Sequence, residues 1–277
     1  MSEPVTELEQ AMRRLAAAEE DSAGQSTARL AFHAELSRAE VFVLLDAEVS
    51  GDTMKPRVFD LSDVRAVLAF DSEMRLAGFA GGAAAYAALP GRVLVTLLAE
   101  AGEGLSLMLN ADAPDAALLT PDVLAWLAAT LSAPAPAEGE GVPEGFAAPS
   151  LPASVLDLLV PALERRLSGT PGLAQTVLAA VQWQGGARGH VLALGGLPEA
   201  AQAPAARAVA EALALSGLEA GSLDVVFPTG RALGAIAAVG LTLAPAPFSM
   251  PEDQVIRPGD TPGANPGMDP QRPPKLR

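Results

Sequence analysis

Apolar residues recur at helix or strand spacing along most of the chain, and the pattern stops in two places. Near the start, Leu8, Met12 and Leu15 share one face at i, i+4 and i+7. Thr6 and Glu9 stand at capping-box spacing before them, so a helix opens the chain. A second helix is expected over Ser26–Arg38, with Leu30, Phe32, Ala34 and Leu36 as core contacts. Val41-Phe42-Val43-Leu44-Leu45 is rich in strand formers. Arg57–Leu61 and Arg65–Phe70 read as two further short strands, which implies hairpins. Asp71-Ser72 can cap a helix over Glu73–Phe79, and Gly81-Gly82 ends it. A helix over Gly91–Glu100, a strand over Leu105–Leu109 and a helix from Thr120-Pro121 to Leu131 complete this segment.

The second patterned segment has the same style without a sequence repeat. A helix is expected over Ala153–Leu167, with Pro161 as a kink. Strands over Thr176–Trp183 and His190–Ala193 flank Gly185-Gly186-Ala187-Arg188-Gly189, a hairpin with a Gly-rich loop. A helix over Glu199–Leu215, a strand over Leu223–Phe227 and a helix over Arg231–Val239 follow.

The periodicity fails at 133–150, a Pro, Ala, Gly and Glu stretch that reads as a linker, and from 250 onward, a Pro- and Gly-rich run that reads as a disordered tail. The expected organisation is therefore two small α+β domains, 1–132 and 151–249, each a short mixed or antiparallel sheet packed on helices. With 277 residues, half of them hydrophobic, the chain is long enough for two cores. Only 4% are aromatic, so those cores are built from Ala, Leu and Val.

Charge changes this outline. The chain carries a net −15 at pH 7. Residues 1–132 hold 20 acids and 9 bases, residues 133–150 hold 3 acids and no base, and 151–250 hold 6 and 5. The acidity belongs to the first segment and the linker. Such a balance argues against nucleic acid or an anionic membrane as partner. The longest uncharged apolar stretch begins at Ala232 and is broken by Gly234, Gly240, Pro245 and Pro247, so no membrane span is expected. The N-terminus has no basic region leading into an apolar run, and the cytoplasm is the expected compartment.

Cysteine is absent, which removes thiolate nucleophiles, disulfides and Cys-ligated metals. The two histidines, His33 and His190, lack metal-ligand spacing and read as surface or boundary residues. No phosphate-binding glycine motif leads into a helix, and no serine sits in a nucleophile elbow. No catalytic residue, cofactor or metal is assigned. Asp60-Leu61-Ser62-Asp63 reads as a turn. Trp126, at i+3 from Val123, is expected in the core, and Trp183 ends a strand before the Gly-rich loop. The candidate protein-contact residues are Asp60, Asp63, Asp71 and Trp183.

Glu40-Val41-Phe42-Val43-Leu44-Leu45, Val67-Leu68-Ala69-Phe70-Asp71-Ser72-Glu73 and Tyr86-Ala87-Ala88-Leu89-Pro90-Gly91-Arg92 together resemble the N-terminal domain of the bacterial SseB family, named for enhanced serine sensitivity. Leu105–Asn110 with Leu118-Leu119 also fits, and the resemblance covers most of 25–132. Leu223–Phe227 and Pro247-Phe248 are similar to the family's C-terminal domain, with Ser249 where an aromatic is usual. The resemblance implies a cytoplasmic protein without a transferable enzymatic activity, linked to serine tolerance and to a rhodanese-like sulfurtransferase. The expected role is non-catalytic binding of another protein. The alternative is an amino-acid sensor or an enzyme with a site between the domains, and a secretion or immunity accessory is a third possibility.

Overall fold

The computed structural model describes residues 5–20, 22–48, 54–61, 64–133, 139–216 and 223–248. Asp63 and the stretch from 249 onward, where a disordered tail is expected, lie outside the described residues. Thr6 caps α1 (Glu7–Ala17): its hydroxyl accepts from the Glu9 N–H at 2.9 Å. Helix α2 (Ala23–Arg38) has no single apolar face, because neighbours pack on it from several sides. The first sheet comprises β1 (Glu40–Leu44), β2 (Val58–Leu61), β3 (Val64–Phe70), β4 (Tyr86–Pro90), β5 (Ser106–Leu109) and β6 (Ala117–Leu119). Its order is β4-β1-β3-β5-β6, with β2 also paired to β3. β3 and β5 are parallel and the other pairs antiparallel. Helices α3 (Glu73–Ala80), α4 (Gly91–Glu100) and α5 (Pro121–Leu131) complete this unit. Ser72 caps α3, and Gly81 ends it in the left-handed region at φ 69°, as the sequence led one to expect.

Alternation along the strands fixes the layers. Val41, Val43, Val67, Ala69, Leu107 and Leu109 face α1, α2, α4 and α5 and form the larger core. Leu44, Leu68 and Phe70 face the other way, where α3 alone covers them through Leu76 and Phe79. One eight-residue helix cannot cover the whole sheet face. Phe42, Phe59 and Met108 are therefore only half-buried, and Leu118, register partner of Met108, is exposed.

The second unit contains β7 (Pro143–Ala147), α6 (Ala153–Leu167), β8 (Gln175–Trp183), β9 (Arg188–Gly195), α7 (Glu199–Ser216), β10 (Leu223–Val226), α8 (Gly230–Ala237) and β11 (Leu241–Leu243). The order is β10-β9-β8-β11, with β7 on β8 as well, and β9 and β10 run parallel. The Gly-rich hairpin forms as expected, with Gly185 and Gly186 at φ 93° and 88°, which a glycine tolerates without strain. Helices α6 and α7 cover one sheet face and α8 the other. α6 continues past Pro161. The fold is thus α+β with two mixed sheets.

Two corrections follow. Residues 143–147 fall in the stretch read as a linker, yet they pair with β8 as an edge strand. Their few apolar groups escaped a periodicity reading, because main-chain hydrogen bonds and Phe146 hold the segment. Trp126 was expected in the core, but it is 43% exposed. In α5 the buried stripe is Leu124, Leu127 and Leu131, and Trp126 stands one position off it.

The two helical layers meet. α7 packs on α2, and Leu215 of α7 is buried within the first unit's core. Glu211, one turn earlier, is 3% exposed. It accepts from Arg92 of α4 at 2.8 Å and from Arg166 of α6 at 2.6 and 3.1 Å. Arg165 and Glu35 add a 3.6 Å ion pair across the same seam.

Candidate functional site

The parallel strands β3 and β5 end together, and a charged cluster occupies that end. Asp71 follows β3; its N–H donates to the Asn110 side-chain oxygen at 3.0 Å. Asn110 and Asp112, after β5, hold φ of 49° and 73°, a left-handed turn that Asn and Asp tolerate better than other non-glycine residues. Helix α1 lies over this end. Thr6 donates to Asp71 at 2.5 Å, and Arg75 of α3 pairs with Asp71 at 3.0 Å and with Glu9 at 2.6 Å. Arg13 bonds Glu9 as well and approaches Asp115 at 3.6 Å. Burial works against the charge on Arg75, but its hydrogen bond to Glu9 and the field of Asp71 outweigh this and raise its pKa. Crevices at the carboxyl ends of parallel strands are common ligand sites. Here α1 fills the place, and the acids and arginines satisfy one another.

Asp71 is only 8% exposed, and its bonds to Thr6, Arg75 and Asn110 anchor α1 and α3 to the sheet. Asp60 is exposed, but the register sets it opposite Arg65, whose guanidinium also meets Glu103 at 3.5 Å. Trp183 is half-buried against Phe146 and Val181, and Gly141 lies on its ring, where a Cβ would come within 2.9 Å. These three candidates lie apart and form no common face.

Neither histidine belongs to a metal-binding cluster among the described residues. His33 was expected at the surface or a boundary, but it is 5% exposed, between Phe32 and Trp126. Burial, with help from nearby Arg29, lowers its pKa to about 4, and its buried Nδ1 has no hydrogen-bond partner among the described residues. Its place nearly three turns into an all-round packed helix explains the miss. His190 Nε2 accepts from the Ser150 N–H at 3.2 Å and lies 3.2 Å from the Ser150 hydroxyl, which ties the chain after β7 to β9. Partial burial lowers its pKa too. Among the described residues no group of three or more His, Asp or Glu could hold a metal ion. No helix there is long and apolar enough to cross a membrane.

The unneutralised acids lie elsewhere. Arg13, Arg38, Lys55, Arg65, Arg75 and Arg92 are each committed to an acid. Glu40, Glu73, Glu100, Asp112 and Asp122 are exposed and have no ion-pair partner among the described residues. Two of them flank β4. Glu40 pairs in register with Pro90, at one end of the strand. Glu73 accepts from the Tyr86 hydroxyl at the other, which with slight desolvation raises the tyrosine pKa. Between them lie Tyr86, 36% exposed, and half-buried Phe42, ring centroids 5.9 Å apart, with Met74 of α3 at 64% exposure nearby in the chain. Sequence reasoning missed this group because Ala87 and Ala88 carry no strand signal.

Comparison with known proteins agrees with the geometry of the first unit alone. No curated protein and no solved structure matches the chain. Residues 8–126, from α1 into α5, match the model of the SseB protein N-terminal domain. The first unit is thus similar to the N-terminal domain of the SseB family.

Proposed function

We propose that the chain is a non-catalytic binding protein whose first unit docks a partner with a basic surface. The observation that supports this is the set of exposed, unpaired acids on the first unit, while six of its cations are already engaged. Complementary potential steers such an encounter and sets its salt dependence. A rhodanese-like sulfurtransferase, the partner that the family resemblance implies, fits as a protein that is bound. A chain with no cysteine cannot itself carry a persulfide. The compartment this reading assigns is the cytoplasm.

The test immobilises the full chain and offers a purified rhodanese-like sulfurtransferase. Retention is expected at low salt and is expected to fall steeply as ionic strength rises through about 0.5 M. Neutralising Glu100, Asp112 and Asp122 to the amides weakens it. No retention, or retention indifferent to salt and to those substitutions, would refute the proposal.

A second reading has one supporting observation. A groove of about 260 Å³ between the start of α1 and the end of α2 is lined by Glu7, Glu35, Glu40 and Asp71 with Arg38. Acids and one guanidinium suit the two charges of a free amino acid. At 100 times its Kd such a ligand would stabilise the chain by about 2.7 kcal/mol. A thermal-shift screen over amino acids showing no rise removes this reading. The seam between α2, α6 and α7 holds only about 80 Å³, less than a third of that groove.

A further inference from the structure

The ladder between β4 and β1 fixes which way each main-chain group of β4 points. Leu45 donates to Ala85 at 2.9 Å and Gly91 donates to Ala39 at 2.8 Å, so the odd-numbered residues of β4 exchange hydrogen bonds with β1. In an antiparallel pair the alternate residues face the opposite edge. The N–H and C=O of Tyr86 and Ala88, and the C=O of Pro90, therefore point away from the sheet. β4 is the terminal strand of its order, and no backbone group among the described residues pairs with that edge. Edges of this kind are usually protected by lysine, a bulge or a covering element. Here proline appears only at the last position, and the register of β1 with β4 is regular.

The side chains add a shape and a sign. Tyr86, Ala88 and Pro90 lie on the α3 side of the sheet, with small Ala88 between two larger groups. Phe42 stands directly behind Ala88 in register. A strand laid along β4 would set a side chain over Ala88, in the dip between Tyr86 and Pro90. Glu40 at one end and Glu73 at the other have no compensating cation among the described residues, because Arg38 is held by Glu7 and Glu35, and Arg75 by Glu9 and Asp71.

We propose that β4 accepts an added strand from a partner: an extended segment with an apolar centre and a basic residue at each end. This deepens the binding role proposed above and rests on it. Main-chain bonds from Tyr86, Ala88 and Pro90 supply the affinity, and the two glutamates select the flanking cations. A second copy of this chain is the poorer occupant. Antiparallel pairing of β4 with its own copy about Ala88 would bring the Glu73 end of one against the Glu40 end of the other, like charge against like.

The probe is the blocked peptide Lys-Thr-Val-Ile-Val-Thr-Lys, offered to the full chain, with a version carrying Glu at both ends as comparison. The lysine peptide is expected to bind saturably and to slow amide exchange at Tyr86 and Ala88, by about tenfold or more, while Ala87 and Leu89 are already protected by β1. The glutamate peptide should not bind. Ala88→Pro removes an outward N–H and leaves the β1 ladder intact, and it should abolish binding. Protection retained at Ala87 and Leu89 verifies that β4 still pairs. Should Ala88→Pro misfold, Glu40→Gln with Glu73→Gln serves instead, and the affinity should fall about tenfold. Equal binding of both peptides, undiminished binding by either variant, or no binding at all would overturn the proposal. A dimer in sedimentation that Ala88→Pro dissolves would overturn it in favour of self-pairing. Sulfurtransferase retention that survives Ala88→Pro would leave the acidic docking role standing and remove the edge from it.

Discussion

Glu211→Gln tests whether the two units are coupled through a single carboxylate. The substitution keeps the shape and removes the charge. Glu211 accepts three hydrogen bonds from two arginines, Arg92 of the first unit and Arg166 of the second. Removing one member of a fully buried pair costs about 3–5 kcal/mol, because a charge is left stranded. The arginines here keep 38% and 27% of their side-chain exposure and can rehydrate. The glutamine oxygen also retains one weaker bond. The expected loss is therefore about 2–3 kcal/mol, or roughly 4–10 °C in Tm for a chain of this size. A double-mutant cycle with Arg92→Ala isolates the contact between units, and a coupling near 1 kcal/mol is expected. The assay is urea unfolding read by tryptophan fluorescence. The chain has two tryptophans, Trp126 in the first unit and Trp183 in the second, so Trp126→Phe and Trp183→Phe versions report one unit each. Their transitions should coincide with Glu211 present and separate in Glu211→Gln. A stability loss under about 0.5 kcal/mol with a coupling inside the additivity error of about 0.3 kcal/mol would refute the assignment of Glu211 as the tie.

Three further outcomes follow from single positions. A Cβ at Gly91 would lie 1.9 Å from the Leu36 carbonyl oxygen, a backbone atom that cannot swing away, so Gly91→Ala should cost about 3 kcal/mol or more by urea unfolding. His33 is held neutral, with its pKa near 4 against an ordinary 6.5. The unfolded chain thus binds its proton first, and stability present above pH 6.5 is lost as pH falls toward 4, by up to about 3 kcal/mol. The wild type minus His33→Gln difference in unfolding free energy across that window isolates this from the carboxylates, and a flat difference would contradict it. Asp71→Asn should lower stability by about 2 kcal/mol through the loss of Arg75 and Thr6 as partners, while sulfurtransferase retention stays within twofold in a binding assay at low salt.

The sequence pattern located elements wherever local chemistry and periodicity agreed. Thr6 and Ser72 cap helices, Gly81 ends one, and Gly185-Gly186 turns a hairpin, each by a local rule that needs no tertiary contact. The strands that escaped notice were β4, β6, β7 and β11, all short and all at sheet edges or sharing one. An edge strand makes its ladder on one side only and needs little apolar content, so its sequence carries a weak signal. His33 was misplaced for a related reason: helix α2 is packed on several sides, so spacing along it does not tell inside from outside. Trp126 was misplaced because it was counted from Val123, which is itself only half-buried, while the buried stripe of α5 runs through Leu124, Leu127 and Leu131. Glu211 did leave a trace: an acid among Ala205, Ala208, Val209, Ala212 and Leu215, within a stripe that should hold none. An acid in such a stripe is stable only with cations brought to it, and Arg92 and Arg166 arrive from helices remote in the chain.

Net charge located the acidic unit but weighted every carboxylate equally, and the fold does not. Asp71 and Glu9 belong to the interior, where Arg75 and Arg13 offset their charge. Glu35 and Glu7 hold Arg38. Each such pair also withdraws a cation that could have quieted the surface. The arginines drawn inward therefore leave Glu40 and Glu73 unopposed, one at each end of an unprotected strand. A bare edge invites any extended chain, its own copy included. Two like charges at the ends of that edge turn the invitation into a selective one, repelling the acidic copy and favouring a basic segment. The same pairing of arginines with buried acids that stabilises the first unit thus sets the sign of what it can bind.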